Sequence, residues 1–258
     1  MKRGDVAELA GSTGLGAWTA FGVLSMVVIG DGVPLFADSD LLSWSVGHRP
    51  DVAVAFARGL TATGTGAVPY LLAVLAGITA GRTPRQRMTA VSLCLACLGA
   101  GQALRYGVMT LVARPRPPHA DWAAHASGWA FPSGHATTAA LTAGLLVIAV
   151  RVRGPRGRTP LTLVIGGWGA LVGLTRVYLG VHWFTDVVAG WLFALGWLGV
   201  CLWAVACQLP ERWIPGTTGT AREATEPMGT AGRTDKARDP KEDHAPQDPG
   251  RRGRSRSA

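Results

Sequence analysis

Two residues at the start of the last apolar stretch carry the strongest chemical signal in this chain. His182 and Asp186 are four apart, so on a helix they share a face. A carboxylate beside an imidazole fixes its tautomer and stabilises the imidazolium. An imidazole so held can attack phosphorus and form a covalent phosphohistidine. Asp186 is also the only acid inside an apolar stretch, and an acid within a spanning segment is costly enough to imply function. Six residues before His182 stands Arg176, and Arg114 and Arg116 follow an earlier apolar run. Their planar guanidinium forks match phosphate oxygens, and fixed cations stabilise the charge that spreads over those oxygens during phosphoryl transfer. For Arg114 and Arg116, snorkelling to a membrane interface is the alternative use. A third cluster is Pro132-Ser133-Gly134-His135. Serine is a good N-cap and glycine admits a ligand close to the backbone, so a helix opening here offers free N–H groups and a positive end to an anion.

These clusters need elements that bring them together, and the composition says what those are. Of 258 residues, 48% are hydrophobic and only 16% charged, against about 25% charged in a soluble domain. Between Val52 and Pro210 the only acids are Asp121 and Asp186. A span needs about 20 mostly apolar residues. Six stretches qualify in outline: Leu15 to Ile29 (short but extendable through Val33), Gly66 to Ala80 (extendable backward through Leu60), Met88 to Ala113, Ala136 to Val150, Leu161 to Leu179 and Trp183 to Leu209. Lys2 and Arg3 precede the first, and no clean signal-peptidase site follows it, so it reads as a span and not a leader.

The net charge of +9 does not imply a nucleic-acid partner, because the excess sits at the ends of apolar segments. Lys2 and Arg3, the Arg82–Arg85–Arg87 group, the Arg151–Arg153–Arg156–Arg158 group and the basic tail all fall on one side of a six-span layout. That side is then cytoplasmic. The segments Asp31 to Arg58, Arg114 to Pro132 and the turn around Gly180 fall on the other, where all three chemical clusters lie. The chain divides into a cytoplasmic N-terminus (1–14), a six-span domain (15–209) and a tail (210–258). The tail is rich in Gly, Thr, Pro and charge and reads as disordered, and its arginines could touch anionic lipid heads. Cys94, Cys97, Cys201 and Cys207 lie in apolar runs. The C-x-x-C has no second ligand pair, so these read as small packing residues. His48, His119, His125 and His244 read as solvated.

Taken jointly, the clusters resemble the type 2 phosphatidic acid phosphatase superfamily, which also includes vanadium haloperoxidases and glucose-6-phosphatase. That family's pattern is K-x6-R-P, then P-S-G-H, then S-R-x5-H-x3-D. Arg116-Pro117 matches the end of the first motif, and Pro132 to His135 match the second in full. Thr175-Arg176, His182 and Asp186 match the third, with threonine for serine. The resemblance implies an all-α bundle of six transmembrane helices and metal-independent hydrolysis with no cofactor and no metal site. It further implies His182 as nucleophile, Asp186 as its orienting carboxylate and His135 as the acid that protonates the leaving oxygen. Arg116 and Arg176 then hold the phosphate with Ser133 and the Gly134 amide. The first motif's lysine would stand at Met109. Arg105, one turn earlier, or Arg114 is a candidate to supply the missing charge.

The expected substrate is a lipid phosphate or diphosphate, such as phosphatidic acid, phosphatidylglycerol phosphate or a polyprenyl phosphate, met at the extracytoplasmic face. Two other readings use the same residues. A phosphohistidine could pass its phosphoryl group to an alcohol instead of water, and the absence of a lysine at Met109 motivates a non-catalytic membrane protein. An imidazole pair in opposite protonation states predicts a bell-shaped rate profile.

Overall fold

A computed structural model of the chain describes residues 3–31, 34, 35, 37–154 and 156–208. The segment 210–258 lies outside the described residues. Eight α-helices carry the described part: α1 (Arg3–Asp31), α2 (Asp38–Gly47), α3 (Asp51–Ala62), α4 (Ala67–Ala80), α5 (Pro84–Val112), α6 (Gly134–Arg153), α7 (Arg158–Tyr178) and α8 (Phe184–Gln208). A 3-10 turn spans His119–Asp121. The architecture is all-α. Among the described residues, five helices are long and apolar enough to cross a membrane, and α3 with α4 make a sixth crossing if taken as one span bent by 52°.

The helices differ from the apolar stretches in ways the local chemistry explains. The first begins at Arg3, not Leu15, because hydropathy marks what lies in lipid, whereas helix formation needs only helix-compatible residues. Asp5 in its first turn complements the helix dipole. The second stretch is interrupted by Thr63-Gly64-Thr65-Gly66. Gly66 takes φ +65° and ψ −138°, a backbone state that side chains bearing Cβ disfavour, and the chain turns there into α4. Much of what the sequence reads as an outer segment is thus helical, as α2 and α3. Helix α5 opens with a capping box: Thr83 Oγ1 accepts from the Gln86 amide, and Gln86 Oε1 accepts from the Thr83 amide.

Small residues let the helices approach. Helix α1 runs along α8, and a Cβ on Gly14 would stand 3.1 Å from Gly199 Cα. Such close crossings are how helices associate where lipid removes the hydrophobic drive between them. Phe21, Phe131 and Phe193 pack in one cluster beneath the site. Leu98, Leu141, Leu145 and Leu198 form a second core among α5, α6 and α8. The outward faces carry many exposed large apolar side chains, such as Met26, Leu71, Leu111 and Leu163, as expected of a surface that meets lipid.

Candidate active site

Four helix ends meet at one pole: the C-termini of α5 and α7 and the N-termini of α6 and α8. At the end of α5, Ala113 adopts a left-handed conformation (φ 48°) and its amide bonds back to Met109 O. The helix therefore stops, and the prolines at 115 and 117 keep the following arginines extended. Phe131-Pro132 is a cis peptide that delivers the chain to Ser133, whose amide donates to Asp186 O at 3.0 Å. That bond ties the start of α6 to the start of α8. Between α7 and α8, Gly180 sits at φ +71°, and a Cβ there would run into Asp121 O. The turn therefore packs directly against the segment around Asp121, and the Ala123 amide donates to Leu179 O at 2.9 Å.

His182 is buried and held from both sides. Its Nδ1 lies 3.3 Å from Asp186 Oδ2, and its Nε2 lies 2.8 Å from Arg116 Nη1. A guanidinium only donates, so Nε2 accepts, and the proton of the neutral ring is on Nδ1, facing the carboxylate. Burial, then the charges of Arg116 and Arg176, push His182 well below the ordinary imidazole value, with Arg105 adding to them and the Ala130 carbonyl opposing. The result is an unprotonated nitrogen with its lone pair aimed at a cationic cleft.

Asp186 is fully buried and uses both oxygens. Oδ2 accepts from the Trp183 amide at 2.9 Å, and Oδ1 accepts from Arg114 Nη1 at 2.6 Å. Arg114 is one of the sequence candidates that the structure engages away from a phosphate. It is neither snorkelling nor free for a phosphate, being clamped between two carboxylates, Asp186 and Asp38, with its Nη2 3.0 Å from Asp38 Oδ2. Nη1 also donates to Thr185 Oγ1 at 2.8 Å. Asp38 in turn accepts from the Leu35 amide, the Thr185 amide and the Thr185 hydroxyl. Asp38 and Thr185 are therefore site residues that the sequence reading missed. Asp38 stands among other outer acids, Asp31, Asp40 and Asp51, and no spacing distinguishes it from them.

The remaining candidates gather around His182. Arg116 donates through Nε to Gly128 O and through Nη2 to Ser127 O and Trp129 O, and its Nη1 also reaches Val181 O. Loop carbonyls thus hold the fork in place. Burial lowers its pKa, Asp186 opposes this and Arg105 reinforces it. Arg176 is buried with one hydrogen bond, Nη1 to Thr61 Oγ1 at 3.3 Å, and its Nε has no partner. Thr175 donates to Val172 O, so the hydroxyl of the third motif turns back into its own helix. Ser133 occupies the N-cap position of α6 but makes no capping bond. Its Oγ is buried and unpartnered, contrary to the capping role expected from its type. His135, the second residue of α6, is half-buried, within electrostatic reach of Arg176, His182, Arg116 and Arg105. His48, His119 and His125 are exposed, and His119 stacks on Trp122; His244 lies outside the described residues. No cluster of three or more metal-ligating side chains occurs among the described residues.

The cleft thus combines a lone pair, several guanidiniums and buried donors that lack acceptors. A tetrahedral anion has the oxygens to satisfy such donors.

Comparison with known proteins fits this geometry. The PAP2 superfamily model matches residues 89–209. Phosphatidylglycerophosphatase B of Bacillus subtilis is 32% identical over 139 residues, 53% of this chain and 67% of that protein. Decaprenylphosphoryl-5-phosphoribose phosphatase of Mycolicibacterium smegmatis is 32% identical over 149 residues, 55% of this chain and 73% of that protein. Phosphatidylglycerophosphatase B of Escherichia coli is 37% identical over 100 residues, of which this chain spans only 36% of the length. The crystal structure of a transmembrane PAP2-type phosphatidylglycerolphosphate phosphatase from Bacillus subtilis superposes with a TM-score of 0.60. That match covers 76% of this chain and 94% of the other at 24% identity, and shows a shared fold. With the family pattern carried on helix ends that meet at one pole, this chain belongs to the PAP2 superfamily of multi-pass membrane phosphatases.

Proposed function

We propose that this protein hydrolyses a lipid phosphate or diphosphate at the extracytoplasmic face, through a phosphohistidine on His182. The observation that carries this reading is the Nε2 lone pair of His182, set in a cleft with Arg116 and Arg176 and with the unpartnered Ser133 Oγ and Arg176 Nε. In the first step Nε2 attacks phosphorus, the bond to the leaving oxygen breaks, and His135 gives that oxygen a proton. In the second, water attacks the phosphohistidine, His135 takes its proton, and inorganic phosphate leaves with His182 neutral again. Asp186 stabilises the imidazolium character that Nδ1–H acquires on attack. Arg176, Ser133 and the Gly134 amide hold the phosphoryl oxygens, together with Arg116, whose Nη1 gives up its bond to His182 Nε2 and takes a phosphoryl oxygen instead.

Two features support a lipid as the phosphate's carrier. The site lies at the ends of spanning helices. On the neighbouring side of α7, an apolar cavity of about 560 Å³ is lined by Leu41, Trp44, Phe56, Leu60, Leu174 and Phe184, among others, and suits hydrocarbon. The relatives named for phosphatidylglycerophosphate and decaprenylphosphoryl substrates set the panel to try. The arginine groups at 82–87 and 151–158, at the opposite helix ends, support the outward orientation.

The test is phosphate release from phosphatidic acid, phosphatidylglycerol phosphate and polyprenyl phosphates and diphosphates by wild type and His182→Ala. Wild-type turnover of at least one lipid, abolished in the variant, is expected. Labelled water should put its oxygen into the released phosphate. Equal and negligible release by both proteins on every lipid would reject the reading, and label found instead in a phosphorylated alcohol would point to transfer.

A further inference from the structure

Arg105 lies in α5, seven residues before its end at Val112, or about 10 Å along the helix axis from that end. A guanidinium at such depth in a spanning segment requires a partner or a function. Among the described residues no carboxylate pairs with it: the ion pairs are those of Arg114 with Asp38 and Asp186, and of His182 with Asp186. Its contacts are weak ones. Nη1 is 3.3 Å from Met109 Sδ, and Cζ is 5.6 Å from the Tyr106 ring centroid. Its Nε is buried without a partner.

What the guanidinium faces is the start of α6. A Cβ added to Gly134 would have Arg105 Nη1 at 3.4 Å, Cζ at 3.5 Å and Nε at 3.9 Å as its nearest neighbours. The face of Gly134 is therefore open to Arg105 and to nothing nearer. One turn earlier on α5, Gln102 donates to Thr138 Oγ1, and Thr138 donates to Gly134 O. This chain of bonds holds α5 against α6 at the level of the cleft. Arg105 is also close enough for its charge to add to the forces that lower His182 and Arg116. Three buried donors, Arg105 Nε, Ser133 Oγ and Arg176 Nε, come from three different helix segments and all lack acceptors. Buried polar groups are normally paired, and one multivalent anion would pair all three.

We propose that Arg105 is a third phosphate-binding guanidinium of this site, supplying from one turn deeper in α5 the cation that the motif would place at Met109. Met109 follows Arg105 by four residues and so shares its face. The thioether there removes a competing charge and leaves room for the longer arginine to enter from below. The paired state of Arg114 excludes it from that role. The proposal rests on the phosphatase reading.

The test uses the full chain in detergent, as Arg105→Ala, Arg105→Lys and the double variant Arg105→Ala/Met109→Lys. Three quantities are read: kcat/KM, affinity for inorganic phosphate by calorimetry, and Tm. Arg105→Ala should lower kcat/KM by about 100-fold, as for loss of one transition-state donor, and weaken phosphate binding. Lysine at either position should recover at least about tenfold of both losses. A folded Arg105→Ala protein with wild-type phosphate affinity and kcat/KM would overturn the proposal. So would losses that neither lysine variant reverses, which would make Arg105 a packing residue. If Arg105→Ala does not fold, the two lysine variants decide in the same way. A wild type that binds phosphate through Arg105 yet releases none from any lipid would reject the phosphatase reading and leave the anion site standing.

Discussion

Arg116 Nη1 stands 2.8 Å from His182 Nε2, so a permanent cation rests on the lone pair that attacks in the proposed mechanism. The contact makes a protonated His182 impossible without displacing Arg116, and the buried surroundings act in the same direction. A bell-shaped rate profile whose acid limb belongs to His182 should therefore have that limb well below the ordinary imidazole range of about 6.5. Replacing Arg116 with glutamine should move the limb up toward that range while lowering kcat/KM. Profiles of kcat/KM against pH for both proteins test this, and a limb near 6.5 in the wild type would contradict it. The linked effect on stability has a definite sign. Because the folded-state pKa is depressed, the contribution of His182 is present above about 6.5 and is lost as pH falls through the folded value, since only the unfolded chain takes up the proton at first.

Asp186→Asn keeps the shape but removes the charge that balances Arg114 and the acceptor that fixes Nδ1–H. In a Ser-His-Asp triad the same change lowers kcat by about 10⁴, and a fall of about 10³ to 10⁴ is expected here. Breaking one partner of a buried ion pair costs about 3–5 kcal/mol, so Tm should fall as well. Turnover at saturating lipid and thermal unfolding, measured together, separate the two effects. An Asn variant with unaltered kcat would remove Asp186 from the site.

Asp38→Asn leaves Arg114 with a single carboxylate. The expected result is a tenfold to hundredfold drop in kcat, about 1.4–2.7 kcal/mol, with KM little changed, because Asp38 acts through Arg114 on Asp186. A double variant with Asp186→Asn should show less than the sum of the two losses, by about 0.5–3 kcal/mol. Strict additivity would mean that the two carboxylates act independently.

Ser133→Ala separates capping from catalysis. Loss of a capping serine usually costs about 1 kcal/mol, but the Ser133 hydroxyl makes no capping bond. Tm should hold, while kcat/KM falls by about tenfold or more through the lost donor. A drop in Tm with unchanged kcat/KM would restore the ordinary capping role.

The spans were legible wherever apolar runs are long and end in charge or proline, as for α5 to α8. The grouping of His182, Asp186, Arg116, Arg176 and His135 at one pole was legible too, because each stands at an apolar boundary and alternate boundaries share a side. What the sequence hid is pairing across distance. Nothing in Arg114-Pro115-Arg116 says that the first arginine turns to Asp38 and the second to His182, since residues two apart in an extended segment would ordinarily share a face. Ser133 has the right type and place for a cap, yet its hydroxyl accepts from no amide of the first turn of α6, and nothing in its type or position shows this. The break between α3 and α4 was hidden because both halves are apolar, and only the state of Gly66 divides them.

Asp38 has a consequence for how this protein could be divided or recombined. The family model covers residues 89–209, and the clasp on Arg114 comes from residue 38, well upstream of it. A chimera joining the matched region to the amino-terminal helices of a relative would inherit both histidines and every arginine of the cleft. Unless the donor also brings an acid to the Thr185 amide, however, the guanidinium behind Asp186 would have one tether instead of two. The portable unit of this enzyme is therefore larger than the stretch that carries its signature, and begins no later than α2.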